Sequence, residues 1–198
     1  MSGVLLDFDT DKLRQNVADA TGHDKSYIES VWRNEKYHLS ELGQVTSEEF
    51  YEYFSHEIRL SWSYERFIEE WSVICDENTR GMKLFNELKQ NGYKVYILSN
   101  LAEYHKLAVE YRFQDFWKIS DANFLSYQMG MLKPDHKIYH SVCSQIEKLP
   151  EDCFFFDDSL ENINAAKEVG ISAYHFTSLE HNRVLQELKE KGIVEISN

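Results

Sequence analysis

Several short stretches of the sequence carry polar side chains of the kinds that bind anions and metal ions. The chain opens with MSGVLLDFDTDK, in which residues 7–10, D-F-D-T, resemble the D-x-D-x-T nucleophile motif of phosphate-transferring enzymes. Ser99 and Asn100 follow the apolar run VYIL. Their hydroxyl and amide groups can hold a phosphoryl oxygen by hydrogen bonds, which makes them candidate phosphate-binding residues.

Charged side chains occupy two further positions of this kind. Asp157 and Asp158 follow the run FFF, and adjacent carboxylates suit a hard cation such as Mg²⁺. Lys133, in MGMLKPD, can extend a cation that neutralises charge on a transferring phosphoryl group. Each stretch also has a simpler interpretation, because Ser-Asn is typical of turns, Lys-Pro of surfaces, and D-D-S of helix caps.

The elements that must position these residues follow from the apolar pattern. Continuous apolar runs in YKVYILSN, CFFFDDS and ISAYHF are typical of strands buried on both faces of a parallel sheet. The helical patterns GMKLFNELKQNG and SLENINAAKEVG alternate with them, and the second is capped by Ser159 and stopped by Gly170. This alternation predicts an α/β fold with a doubly wound parallel sheet, which binds ligands beyond the carboxyl ends of its strands.

Residues 11–77 have a helical pattern throughout and predict a bundle of about four short helices. DKLRQNVADATG ends in a glycine that suits a helix stop, and Thr46 with Glu49 forms a T-x-x-E capping box. We interpret the aromatic stripe in this region as core packing; it comprises Trp32, Phe50, Phe54, Phe67 and Trp71. The predicted domains are an α/β core, residues 1–10 and 78–198, and an inserted helical cap, residues 11–77.

Composition limits the classes of partner. The chain has 198 residues, 42% of them hydrophobic, which is enough for one well-buried core and a small appendage. A net charge of -13 would repel a nucleic-acid backbone. No apolar run approaches the roughly 20 residues of a membrane span, and the first residues lack the layout of a signal peptide. We therefore expect a cytoplasmic protein that binds neither nucleic acid nor membrane. We also expect a monomer or weak dimer, although the sequence carries no signal for the oligomeric state.

The cysteines suggest no further site. Cys75, Cys143 and Cys153 are scattered and lack C-x-x-C spacing. This pattern favours neither a disulfide framework nor a thiolate zinc site, and it fits a reducing compartment.

In this order, YILSN, LKPD and FFFDDS resemble the second, third and fourth motifs of the haloacid dehalogenase superfamily. The helical insertion resembles its small cap, and the stretches resemble the branch that contains sugar-phosphate phosphatases. The resemblance implies that Ser99 and Asn100 hold phosphoryl oxygens. It also implies that Lys133 is a catalytic residue, because its positive charge neutralises those oxygens. It implies that Asp157 and Asp158 hold Mg²⁺. The implied reaction is hydrolysis of a small phosphorylated metabolite through an aspartyl-phosphate.

The opening stretch departs from that resemblance. In this branch the first motif reads F-D-x-x-G-V-L-x-D-x-D, and SGVLLDFD matches its later half, so that the nucleophile would lie upstream of Met1. The literal alternative makes Asp7 the nucleophile and Asp9 the acid/base. It leaves only VLL as a strand, shorter than the usual five or six residues, and leaves no room for a turn before helical sequence begins at Asp11.

Loss of the central strand would leave unpaired N–H and C=O groups in the middle of the sheet. Either residues precede Met1, or MSGVLL shifts inward to fill the gap. Two functions follow. One is an active Mg²⁺-dependent phosphatase with a complete first motif. The other is an inactive phosphate-binding or regulatory module that has lost its nucleophile.

Overall fold

The computed structural model describes residues 3–195, which form a helical zone followed by an α/β zone. The helical zone consists of α1 (Thr10–Thr21), α2 (Lys25–Trp32), α3 (Glu35–Glu41), α4 (Ser47–Ile58) and α5 (Tyr64–Ser72). It therefore contains one helix more than the approximate number predicted. The extra boundary arises at Asn34, whose side chain accepts a hydrogen bond from the Tyr37 amide and starts α3 directly after α2.

Local signals set the ends of these helices as the sequence predicts. Thr46 and Glu49 form the complete capping box of α4. Gly22 ends α1 in the left-handed conformation, with φ 76°. Asp9 caps α1 by accepting a hydrogen bond from the Lys12 amide, so its carboxylate serves a helix start.

The chain enters and leaves the helical zone through a short antiparallel pair. Strand β1 (Leu6–Phe8) pairs with β2 (Cys75–Glu77), and Leu6 lies opposite Glu77. Leu6 and Cys75 are fully buried, which anchors this pair on the core. The opening residues thus form a connection between the two zones.

The α/β zone alternates helices with parallel strands, which confirms the predicted fold class. Its elements are α6 (Thr79–Gln90), β3 (Tyr96–Ser99), α7 (Glu103–Arg112), β4 (Ala122–Leu125), α8 (Ser126–Met129), α9 (His136–Gln145), β5 (Phe154–Asp157), α10 (Leu160–Glu168), β6 (Ser172–His175) and α11 (His181–Glu190). Strand β3 pairs with β4 and β5 with β6, both in parallel. Within residues 3–195 these are two separate pairs rather than one continuous sheet.

An apolar cavity of about 430 Å³, which we call the slot, borders the facing strands of the two pairs. Residues 96–98 of β3 and residues 154–156 of β5 both line it. Helices α6 and α9 also line it, through side chains such as Phe85 and Tyr139. Of the stretch MSGVLL, the described residues 3–6 add no strand to this gap, although Val4 and Leu5 line it. Met1 and Ser2 lie outside the described residues, residues 3–5 form a turn, and Leu6 begins β1.

The helical zone has its own hydrophobic core, to which Tyr104 and Ala108 of α7 also contribute. The predicted aromatic stripe is confirmed as core packing, since all its members are buried: Trp32, Phe50, Phe54, Phe67 and Trp71. Within the described chain, no helix combines the length and apolar character needed to cross a membrane. The division into residues 11–77 and the remainder stays a prediction.

Candidate active site

A buried ion pair joins the carboxyl ends of β3 and β5. Lys133 Nζ lies 2.6 Å from Asp157 Oδ2, at the end of β5, and donates a second hydrogen bond of 3.2 Å to the Leu98 carbonyl in β3. The two charged side chains are 4% and 3% exposed. One ammonium group therefore bridges the ends of β3 and β5, two strands that border the slot.

Further donors surround the Asp157 carboxylate. Its Oδ1 accepts hydrogen bonds of 2.9 Å from the Ser159 amide and from Asn162 Nδ2. Burial alone would raise the pKa of Asp157, but the charge and hydrogen bond of Lys133, together with Asn162, outweigh it and hold that pKa below its ordinary value. The carboxylate is ionised at neutral pH.

Asp158 has the opposite electrostatics. Its partial burial and the adjacent Asp157 charge raise the pKa of Asp158. Its carboxylate also lies against Gly3, where an added Cβ would come within 2.1 Å of Oδ2. Gly3 has φ +70°, so both space and backbone conformation favour glycine there. A cation next to both carboxylates would relieve their repulsion.

The side-chain amide of Asn100 clasps the backbone of Lys133, that is, it forms two hydrogen bonds with that backbone. Nδ2 donates to the Lys133 carbonyl at 2.8 Å, and Oδ1 accepts from the Lys133 amide at 2.9 Å. Ser99 is buried beside it, and its hydroxyl makes a long contact of 3.4 Å with the Asn100 carbonyl. The structure thus brings the sequence-predicted residues to one edge of the strands. It engages the Asn100 side chain in holding Lys133, and direct phosphate contact by Ser99 or Asn100 stays a prediction.

Asp7 and Asp9 lie apart from this network. Asp7 is exposed in β1 opposite Asp76, and it accepts a hydrogen bond of 3.0 Å from Asn78 Nδ2. Asp9 caps α1. The hydrogen bonds recorded for the two side chains within residues 3–195 do not involve Lys133 or Asp157.

The donor set at Asp157 and Asp158 fits Mg²⁺. Across residues 3–195, no three His, Cys, Asp or Glu side chains are grouped closely enough to hold a metal by themselves. Mg²⁺ does not need such a cage, because it commonly binds through one or two carboxylates and completes its shell with water and phosphate oxygens. Two neighbouring carboxylates at a strand end meet that requirement.

Two residues that shape the site were not predicted from the sequence. Asn162 holds Asp157, and its signal is an amide one turn into the helix that follows D-D-S. Gly3 makes room for Asp158, but its contact joins positions far apart in the chain and leaves no local signal.

The comparisons with known proteins agree with this geometry. Residues 1–170 match the haloacid dehalogenase-like hydrolase family. The chain is 30% identical over 151 residues to a sesquiterpene phosphatase of Aspergillus oryzae, covering 75% of this chain and 76% of the relative. It is 26% identical over 184 residues to the D-ribitol-5-phosphate phosphatase of Bacteroides thetaiotaomicron, covering 87% and 86%.

A solved structure shows the same fold. It is a haloacid dehalogenase family enzyme from Bacteroides thetaiotaomicron in complex with magnesium and inorganic phosphate, similar with a TM-score of 0.77 and 25% identity over 88% of this chain and 89% of the other. The family match spans most of the sequence, and the polar residues of its later motifs meet at one edge of the strands. The chain belongs to the haloacid dehalogenase-like hydrolase family.

Proposed function

We propose that this protein is a Mg²⁺-dependent phosphatase of small phosphate monoesters that works through an aspartyl-phosphate. The observation that carries the proposal is the buried Lys133 ammonium, which lies between the ends of β3 and β5 and beside the Asp157 carboxylate. Relatives named as phosphatases support the reaction class. The structural relative in complex with magnesium and inorganic phosphate supports the choice of metal.

The residues divide the work as follows. Lys133 neutralises charge on the transferring phosphoryl group, and Asn100 holds the Lys133 backbone in place. The Ser99 hydroxyl donates to a phosphoryl oxygen. Asp157 and Asp158 would hold Mg²⁺, which when bound supplies further positive charge next to the phosphoryl oxygens.

We infer that the attacking Asp is carried by a strand upstream of Met1 that occupies the slot. The slot borders β3 and β5, and each of these strands runs parallel to its outer partner. A strand parallel to both would end beside Lys133. By contrast, Asp7 is an exposed residue of an antiparallel pair that connects the zones.

The proposed reaction has two steps. A carboxylate oxygen of that Asp attacks phosphorus while the bond from phosphorus to the leaving oxygen breaks, and the leaving oxygen takes a proton from solvent. Water then attacks the phosphorus of the aspartyl-phosphate, the bond from phosphorus to the Asp oxygen breaks, and the water gives up a proton to solvent. This step releases inorganic phosphate and regenerates the carboxylate.

The test compares three forms in the presence of Mg²⁺: the 198-residue chain, a form extended before Met1 by an apolar strand that ends in Phe-Asp, and a twin that ends in Phe-Asn. The substrates are an aryl phosphate, ribitol 5-phosphate and farnesyl phosphate. We expect turnover only from the Phe-Asp form, at least about a thousandfold above its twin, because only that form supplies a nucleophile.

Two outcomes would contradict parts of this proposal. If the unextended chain hydrolyses phosphate esters and Asp7→Asn abolishes the activity, the nucleophile is Asp7. If the Phe-Asp form binds phosphate with Mg²⁺ but does not turn over, the protein is the alternative phosphate-binding or regulatory module.

A further inference from the structure

One buried hydroxyl links the helical zone to the α/β zone next to the candidate site. Ser126, the first residue of α8, is 0% exposed. Its Oγ donates a hydrogen bond of 2.7 Å to the carbonyl of Glu41, the last residue of α3. The same Oγ accepts a hydrogen bond of 2.9 Å from the Leu101 amide.

The Leu101 amide leads directly to the phosphate-binding candidates. Leu101 follows Asn100, whose side chain clasps the backbone of Lys133 at 2.8 and 2.9 Å. Lys133 in turn contacts Asp157. A continuous series of hydrogen bonds and one peptide link therefore runs from the end of α3 to the ion pair.

The Ser126 hydroxyl has a second possible acceptor. Its Oγ lies 3.1 Å from the Leu101 carbonyl as well as 2.7 Å from the Glu41 carbonyl. A hydroxyl carries one proton, so it donates well to only one of them at a time. With Glu41 in place the shorter bond is favoured. If Glu41 withdraws, the proton can turn to Leu101, which gives the link two discrete states.

Residues 41–43 of the helical zone pack closely against α8. Gly43 follows α3 with φ +70°, and an added Cβ there would lie 2.0 Å from the Tyr127 carbonyl oxygen. The backbone of residues 41–43 therefore rests on the backbone of α8. A side chain at this position would have to lift the helical zone off α8.

We propose that Ser126 is a positioning residue that couples the seating of residues 41–43 on α8 to the placement of Lys133. The inference deepens the proposed function and rests on it for the meaning of the site. Because coupling between two sites is reciprocal, a seated helical zone favours phosphate binding, and bound phosphate favours seating to the same degree.

The first experiment displaces residues 41–43 from α8 by substitution of Gly43. Gly43→Ala introduces a clash with α8, and Gly22→Ala is its matched control, since Gly22 also has a left-handed φ of +76° but nothing within 4 Å of its added Cβ. We expect Gly43→Ala to weaken binding of inorganic phosphate with Mg²⁺ about fivefold or more, the lower end of typical coupling factors, and to speed amide exchange at Leu101. Gly22→Ala should change the phosphate Kd by less than about twofold, since its strain stays local.

The second experiment assigns the coupling to the hydroxyl. In a Ser126→Ala background, Gly43→Ala should cause no further change in phosphate Kd or in Leu101 exchange. Ser72→Ala is the matched control, because the buried Ser72 hydroxyl donates to the Glu69 carbonyl within the helical zone only. In that background the full effect of Gly43→Ala should remain.

The outcomes separate the two proposals. If Gly43→Ala has the same effect with and without the Ser126 hydroxyl, the coupling through Ser126 is refuted. If the parent protein binds no phosphate with Mg²⁺, the proposed function fails, while amide exchange at Lys133, whose N–H donates to Asn100 Oδ1, still decides the coupling. If Gly43→Ala does not fold, the comparison of Ser126→Ala with Ser72→Ala decides it, and equal phosphate affinity in the two would overturn it.

Discussion

The helical zone and the α/β zone differ in how completely they fill their own interiors. A small void of about 10 Å³ lies among the aromatic side chains of the helical zone, including Phe50 and Trp71. The α/β zone contains the slot of about 430 Å³ between its two strand pairs. The helices pack closely against one another, whereas within residues 3–195 no strand pairs with the inner edge of β3 or of β5.

The physical reason lies in where each element makes its hydrogen bonds. A helix satisfies its backbone internally, so short helices need only apolar side chains to pack together. In the helical zone many of these side chains are aromatic. The ring centroids of Phe50 and Tyr104 are stacked 5.0 Å apart, and those of Trp32 and Trp71 are 4.5 Å apart in an edge-on arrangement. A strand needs partners on both sides, which must come from elsewhere in the sequence.

Truncation of an aromatic ring should therefore cost far more in the helical zone than beside the slot. Phe50 is 1% exposed and Phe154, which lines the slot, is 40% exposed. We expect Phe50→Ala to lower the free energy of unfolding by about 3–5 kcal/mol and Phe154→Ala by less than about 1 kcal/mol. Urea unfolding followed by circular dichroism measures both. Equal losses in the free energy of unfolding of the two variants would contradict the difference in packing between the zones.

Removal of the Lys133 ammonium should lower the free energy of unfolding nearly as much as truncation of Phe50. Lys133→Met leaves the buried Asp157 carboxylate unpaired, which should lower stability by about 3–5 kcal/mol at pH 7. The control is Lys94→Met, since Lys94 forms an exposed pair with Asp121 and its loss should cost less than about 1 kcal/mol.

The same variant has a pH signature. Because Lys133 holds the pKa of Asp157 below its ordinary value of 3.8, this pair stabilises the folded protein above that pH, and the contribution is lost as the pH falls through the folded pKa. The deficit of Lys133→Met should begin to shrink above pH 3.8, because burial raises the pKa of an unpaired Asp157, and should go on shrinking below that pH as the pair is lost in the parent. Unfolding curves between neutral and acid pH check this, and a constant deficit would contradict the pairing.

A strand supplied to the slot should remove the difference between the zones. The extension before Met1 buries several apolar side chains at about 1.5–3 kcal/mol each against the entropy of ordering the strand, for a net gain of about 3 kcal/mol. Hydrogen exchange should slow in β3 and β5 and stay unchanged in α4. The Phe-Asn twin should show the same gain, because stability does not need the nucleophile. No gain in either form would show that the slot does not accept a strand.

The smallest expected effect concerns the metal. Mg²⁺ should raise the thermal unfolding temperature of the parent, by linkage worth up to about 2.7 kcal/mol at a hundredfold excess over Kd. Asp158→Asn should abolish this shift. Asp152→Asn, which removes an exposed acid nearby in sequence, should preserve it. An unchanged shift in Asp158→Asn, or in Asp157→Asn combined with it, would reject these residues as the metal site.

Much of the architecture follows from local sequence signals. The apolar runs predicted β3, β5 and β6, and capping residues such as Thr46 and Ser159 predicted helix starts, because caps and buried runs act within a few residues. The pairing of β1 with β2 was not predicted. Each of these strands has three residues, and their partners lie far apart in the chain.

The residues of the candidate site were predicted from the sequence, but the contacts between them were not. Sequence order placed Ser99, Asn100, Lys133, Asp157 and Asp158 as candidates, since each follows a predicted strand or lies in a motif of the family. Their functional roles stay predictions. The clasp of Asn100 on Lys133 and the support of Asp157 by Asn162 required the structure, because hydrogen bonds between such positions depend on side-chain geometry.

Periodicity and motif order were enough to predict the α/β class, the helices within residues 11–77 and the polar residues at the strand ends, since both are properties of neighbouring residues. Three features emerge only from the tertiary fold: residues 6–8 form an antiparallel connection, β3 and β5 border the slot, and Ser126 joins α3 to Leu101. Those features depend on which distant backbone groups become partners. A buried N–H or C=O must find such a partner, and local pattern does not specify which one.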